Sequence, residues 1–160
     1  VIADWESFFV AQTGAFAALA GLVFVALSIN LKEILEGQGL PGRAAEAIAL
    51  MVVPVFTGLA ALVPHQSLRA LGIEYLVIGG LAAALFIGIL RGAAADERTR
   101  PVRERVALPL AILAVIPTLV AAVLLISGNI TGLDWLAAGT LICLFVAILD
   151  AWVLLVEILR

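Results

Sequence analysis

Charge is scarce in this sequence: Asp, Glu, Lys and Arg make up 13% of its 160 residues, against about a quarter in a soluble domain. One cysteine, Cys143, excludes an intrachain disulfide and leaves the redox compartment unspecified. One histidine and one cysteine fall short of a zinc ligand set and of paired axial haem ligands, so no metal or cofactor is expected. The formal net charge of −3 supplies no positive field, so nucleic acid is not an expected partner. No serine–histidine pairing, facing carboxylates or glycine-rich phosphate cradle is visible, and an enzyme is not expected.

What is present is apolar. Hydrophobic residues reach 64% and mean hydropathy is +1.23, which excludes a water-soluble enzyme and a disordered chain. A membrane-spanning helix uses roughly 20 residues, so five would take about 100 and leave no room for a soluble domain. The runs do not alternate polar and apolar, which argues for helices over barrel strands. The fold class read here is all-α, a five-helix integral membrane bundle forming one domain over 1–160, with spans at 7–31, 46–66, 71–91, 106–127 and 133–156. No cleavable secretory signal is expected, because Asp4 and Glu6 rather than basic residues precede the first run. The opening at Val1 without methionine reads as a trimmed start.

Breakers mark the joints. Gly37, Gly39, Pro41 and Gly42 end the first helix and start the second, with Pro41 suited to a first helical turn, and Thr131 with Asp134 has capping-box spacing for the start of the fifth. Five spans put eight of the nine basic residues on one face: Lys32, Arg43, Arg91, Arg98, Arg100, Arg103, Arg105 and Arg160, against Arg69 alone. By the positive-inside rule this face is cytoplasmic, the N-terminus outside and the C-terminus inside. Pairing spans two and three as a re-entrant unit fits the charges less well. Trp5 and Trp135 then fall at the outer interface, and His65 stands alone at the outer mouth. The arginines of 91–105 suit anionic lipid headgroups, with a cytoplasmic partner as the lesser reading.

In lipid, helices associate through close packing and polar contacts. Gly14, Ala17 or Ala18, Gly21, Val25 and Ser28 form a small-residue stripe on the first span, and Gly80, Ala84 and Gly88 another on the third. The sequence does not decide whether the neighbour is this chain or another copy, and packing within the chain is the preferred reading. Pro54, Pro109 and Pro117 remove helix donors, with Thr57 and Thr118 close enough to help satisfy freed carbonyls.

Asp150 is the most informative polar position. A charge at mid-bilayer costs about 3 kcal/mol on the insertion scale. Fifteen residues of helix from Trp135 carry Asp150 about 22 Å inward, into the cytoplasmic third. Its candidate partners are Asn30, the neighbourhood of Trp152, or an arginine such as Arg91. Glu157 lies almost on the same helix face, so Asp150, Glu157 and Asn30 are the candidate intramembrane polar or ion site. The structural role is preferred, because one acidic residue gives no continuous polar route. Gln12 and Thr13 sit near the outer end of the first span, Glu33 and Glu36 form an acidic patch, and Glu46 is placed at the start of the second helix, favourable to its dipole. Asn129-Ile130-Thr131 matches a glycosylation acceptor, uninformative so close to the membrane.

Trp5-Glu6-Ser7-Phe8-Phe9-Val10-Ala11-Gln12-Thr13-Gly14, the run Gly21 to Leu31, Leu40-Pro41-Gly42-Arg43-Ala44 and the ending Ala151 to Arg160 together resemble a group of small bacterial, mainly actinobacterial, integral membrane proteins. Some of these carry the label of modulators of a membrane-bound ATP-dependent protease. The resemblance implies a multi-pass protein of the bacterial inner membrane and transfers no catalytic residue. The expected function is a non-enzymatic accessory or scaffold subunit that self-associates or joins a larger membrane complex. The alternative is an ion channel or proton-coupled transporter using Asp150 and Glu157.

Overall fold

A computed structural model describes residues 2–36, 40–94 and 115–158. Among them there are helices and turns but no strand, so the fold is all-α. A 3-10 turn at Ile2–Trp5 leads into α1 (Glu6–Ile29), followed by the short α2 (Leu31–Glu36) and by α3 (Leu40–Ala61). Then come α4 (Leu68–Ala94), the described helical segment α5 (Val115–Ile126) and α6 (Gly132–Ile158). Four of these, α1, α3, α4 and α6, are long and apolar enough to cross a membrane, the signature of a membrane protein. The described part of α5 is a shorter apolar helix.

Local chemistry sets the ends. Asn30 leaves helical geometry, and its Nδ2 donates to the carbonyl of Ala26 (2.9 Å), so α1 stops there instead of continuing to Leu31. Ser67 caps α4 by accepting the Ala70 N–H on its hydroxyl (3.1 Å). Beyond α5, Gly128 takes φ 84°, and the Gly128 and Asn129 amides turn back to the Leu125 and Leu124 carbonyls, a Schellman closure. The expected start of α6 is correct, but the device differs: the Thr131 hydroxyl donates to Asn129 Oδ1 (2.8 Å), and that oxygen also accepts the Thr131 N–H (3.0 Å). An Asx turn replaces the capping box.

The second helix is where the sequence reading misses most. It starts at Leu40 and ends at Ala61 rather than covering 46–66, so Glu46 is nearly two turns inside it and buried. A dipole role in the first turn does not apply to it.

The helices alternate in direction, and α3 is the most enclosed of the four long ones, in contact with α1, α4 and α6. The glycines that permit close approach are not those of the stripes. A Cβ on Gly72 of α4 would lie 2.8 Å from the Ile126 nitrogen and 2.9 Å from the Ala122 oxygen of α5. Gly79, seven residues on, faces α5 too, but through the Leu119 and Thr118 side chains rather than main chain. On the other side, Gly132 meets Ala121 and Leu125, and Gly139, again seven on, meets Pro117. Seven residues are nearly two turns, so each pair shares one helix face. α5 is thus held between two glycine faces.

By contrast Gly14, Ala17, Ala18, Gly21, Val25 and Ser28 are all exposed, as are Gly80, Ala84 and Gly88. Apart from the adjoining residues and backbone of its own helix, no described atom comes within 4 Å of where a Cβ would stand on Gly14, Gly21, Gly80 or Gly88. Among the described residues, then, no neighbouring helix packs on the glycines of either stripe, and both stripes are exposed. Ser28 tolerates this position because its hydroxyl donates to the Phe24 carbonyl of its own helix (2.8 Å).

Gly72→Ala is expected to destabilise the detergent-solubilised monomer by about 1–3 kcal/mol, since main chain blocks the added methyl. Gly80→Ala, with no described neighbour in the way, is expected to leave it unchanged or raise it by up to about 1 kcal/mol, the propensity gain of alanine over glycine. Unfolding by a graded SDS titration separates the two, and equal effects would contradict the packing described.

Candidate functional site: a buried polar layer

The apolar core is divided. One cluster at the Trp5 end contains Phe9, Ala61, Leu71, Leu125 and Leu136; the other contains Phe16, Met51, Phe86, Val115 and Cys143. Between them each of four helices places one buried polar residue: Gln12 on α1, Thr57 on α3, Thr118 on α5 and Thr140 on α6. At 1.5 Å per residue they lie about 6–12 Å in from the helix ends nearest Trp5. On α4 the same level is crossed by Gly79, against Thr118.

Gln12 joins three helices. Its Nε2 donates to the carbonyl of Pro54 (2.7 Å) and to Thr57 Oγ1 (3.1 Å), while Thr140 Oγ1 donates to its Oε1 (3.2 Å). Thr57 passes its own proton to the same Pro54 carbonyl (3.1 Å). The amide thus uses both N–H groups and one oxygen lone pair. Thr57 helps the proline differently from the expectation. Pro54 deprives the carbonyl of Leu50, one turn earlier, of its donor, yet Thr57 bonds to the carbonyl of Pro54 itself.

Gly58 brings α1 and α3 together at this level: a Cβ there would collide with Thr13 Oγ1 and stand 3.4 Å from the Phe9 carbonyl. Two buried hydroxyls of this region, Thr13 Oγ1 and Tyr75 Oη, have no hydrogen-bond partner among the described residues. Tyr75 is fully enclosed among Phe9, Leu71 and Ala121. The bonded residues of the layer are amide and hydroxyl, groups that neither titrate near neutral pH nor serve as nucleophiles without a base. Their chemistry is to fix the depth and rotation of α1 against α3 and α6.

The residues singled out in the sequence fall elsewhere. Asn30 ends α1, with its amide committed to Ala26. Asp150 and Glu157 lie within α6, but their side chains are outside the described residues. Arg91 is exposed in the last turn of α4, while Arg98, Arg100, Arg103 and Arg105 lie outside the described residues. Among the described residues no group of three or more His, Cys, Asp or Glu side chains could hold a metal. Sequence reasoning placed Gln12 but gave it no partners, and it passed over Thr140 and Tyr75. The usable signal was an amide inside an otherwise apolar span, which in lipid demands partners on other helices.

A double-mutant cycle of Gln12→Leu and Thr140→Val is expected to give a coupling of about 0.6 kcal/mol, the average for interhelical hydrogen bonds in a membrane protein. Tyr75→Phe, which removes an unpaired hydroxyl, is expected to leave stability unchanged or raised by about 1 kcal/mol. SDS-titration unfolding reads both; zero coupling, or a clear loss from Tyr75→Phe, would contradict these assignments.

Comparison with protein-family models, with curated proteins and with solved structures finds no match for this chain.

Proposed function

We propose that the chain is a non-enzymatic scaffold or accessory subunit of a bacterial cytoplasmic membrane that associates with copies of itself. In this reading five helices span the bilayer, with the N-terminus outside and the arginine-rich 91–105 segment in the cytoplasm. The observation that carries the reading is the outward direction of both small-residue stripes. A helix surface of glycine and alanine gives lipid tails little relief to pack into, but it lets another backbone come close enough for extensive van der Waals contact. The stripes flank the bundle, since α1 and α4 both pack on α3. Two separate faces on one subunit support closed rings or larger arrays as well as dimers. The bacterial location and the five-span orientation rest on the sequence resemblance and the charge asymmetry.

In a Cys143→Ser background, single cysteines at Ala18 and Ala84 are expected to cross-link between copies in native membranes. A cysteine replacing Phe145, exposed on α6 away from either stripe, is expected to do so weakly or not at all. Gly21→Leu with Gly80→Leu is expected to weaken association about tenfold or more, equivalent to about 1.4 kcal/mol, with the monomer still folded. A protein that stays monomeric in lipid nanodiscs at all concentrations overturns the proposal.

A further inference from the structure

Beside the α3–α4 turn, at the Trp5 end, the first turn of α1 borders a cavity of about 370 Å³. Its polar lining comes from Glu6, His65 and Gln66, and its apolar wall from Ala61, Leu62, Val63 and Pro64. Three features give this cavity one electrostatic preference. The Glu6 carboxylate is exposed and forms no ion pair with a described residue. Gln66 is half-buried, and its Oε1 is sealed from solvent with no donor among the described residues. The last turn of α3 ends at Ala61, so the partial negative charge of that helix terminus borders the same space. A carboxylate, an amide oxygen lacking its donor and a helix C-terminus all favour a cation that carries hydrogen-bond donors.

His65 completes the wall. It is the one non-glycine residue with positive φ (57°) among those described, a conformation that the Pro64–Gln66 turn imposes at the cavity rim. Its imidazole offers an N–H donor, able to serve an anionic group attached to the same ligand.

We propose that this cavity binds a primary ammonium group, with Glu6 as its counter-ion and the Gln66 Oε1, turned from its sealed position toward the cavity, as an acceptor. The ammonium has three donors and a compact charge, matching the two oxygen acceptors, whereas a quaternary ammonium offers no N–H at all. Two sources share this chemistry: the headgroup of phosphatidylethanolamine, whose phosphate would then lie toward His65, and a free small amine. The proposal is independent of self-association, since neither stripe contributes to the cavity.

The test uses the full chain in nanodiscs containing equal amounts of phosphatidylethanolamine and phosphatidylcholine. Native mass spectrometry reads the retained lipid, and calorimetric titration with ethanolamine reads the free amine. Retention of phosphatidylethanolamine over phosphatidylcholine by about tenfold or more, lost in Glu6→Gln and reduced in Gln66→Leu, establishes the lipid source. Saturable ethanolamine binding that Glu6→Gln abolishes, without lipid preference, establishes the free amine. Equal retention of the two lipids with no ethanolamine binding overturns the proposal. So does binding of either amine that survives Glu6→Gln in a folded protein, as judged by an unchanged SDS-unfolding midpoint.

Discussion

α5 lies close to two neighbours because Gly72 and Gly79 on one side, and Gly132 and Gly139 on the other, add no side chain between the backbones. This constraint governs the bundle more than its greasiness does. In water, burying Phe9, Leu71 or Leu125 would itself drive folding. In lipid these side chains exchange one apolar neighbour for another, so the gain comes from dense contact. Backbone approach at glycine increases such contact, and a methyl aimed at the Ala122 carbonyl or the Ile126 nitrogen would push two turns of helix apart.

Close packing alone leaves helices free to slide and rotate, because apolar surfaces match in many registers. The layer built on Gln12 removes that freedom. Its amide reaches the Pro54 carbonyl and Thr57 on α3 while accepting from Thr140 on α6, and those partners meet it at only one depth. Pro54 contributes by staying inside the helix with a carbonyl that two side-chain donors share. The layer also separates the two apolar clusters, so a slipped helix would bring a hydroxyl against aliphatic side chains and leave its bond unmade. Packing and polar satisfaction therefore select the same arrangement, as a well-specified fold requires.

The long apolar helices were legible in the sequence because charge punctuates the chain and the runs are too long for anything else. The partners of each helix face were not. A small-residue stripe marks a face suited to close approach, but its spacing is the same whether the partner is the next helix or another molecule. Hence the sequence left open whether Gly14, Gly21, Gly80 and Gly88 meet this chain or another copy, and among the described residues no neighbouring helix packs on them. The operative glycines repeat at seven residues on α4 and α6, the same interval as Gly14 to Gly21 on α1, so the spacing does not tell one kind of face from the other. Glu46 was misplaced for a different reason: the span is counted from the end of the charged stretch, although Pro41 already reads as suited to a first helical turn, and the helix begins at Leu40. In the candidate site, Gln12 was visible as an amide in an apolar run, but Thr140 looked like any helical threonine until the fold brought it 3.2 Å from Gln12.

α4 shows why the outward faces call for an explanation beyond lipid. Gly79 and Gly80 are adjacent, so their Cα–H faces differ by about 100° around the helix axis. One meets Leu119 and Thr118 of α5, and the other meets nothing among the described residues. The inward face is small because α5 needs the room. No such need exists on the outward face if hydrocarbon covers it, since leucine or valine there would strengthen the helix and suit lipid equally well. Elsewhere the exposed surface follows that rule, with Leu76, Val77, Leu81 and Leu85 on α4 and Leu141, Phe145 and Ile148 on α6. Gly80, Ala84 and Gly88 depart from it at four-residue steps, the step that keeps residues on one side of a helix. Glycine inside a helix carries a propensity cost of about 1 kcal/mol relative to alanine, measured in water. Two such glycines on a face with no neighbour among the described residues gain a physical purpose when a second backbone occupies it, and α1 makes the same case with Gly14 and Gly21.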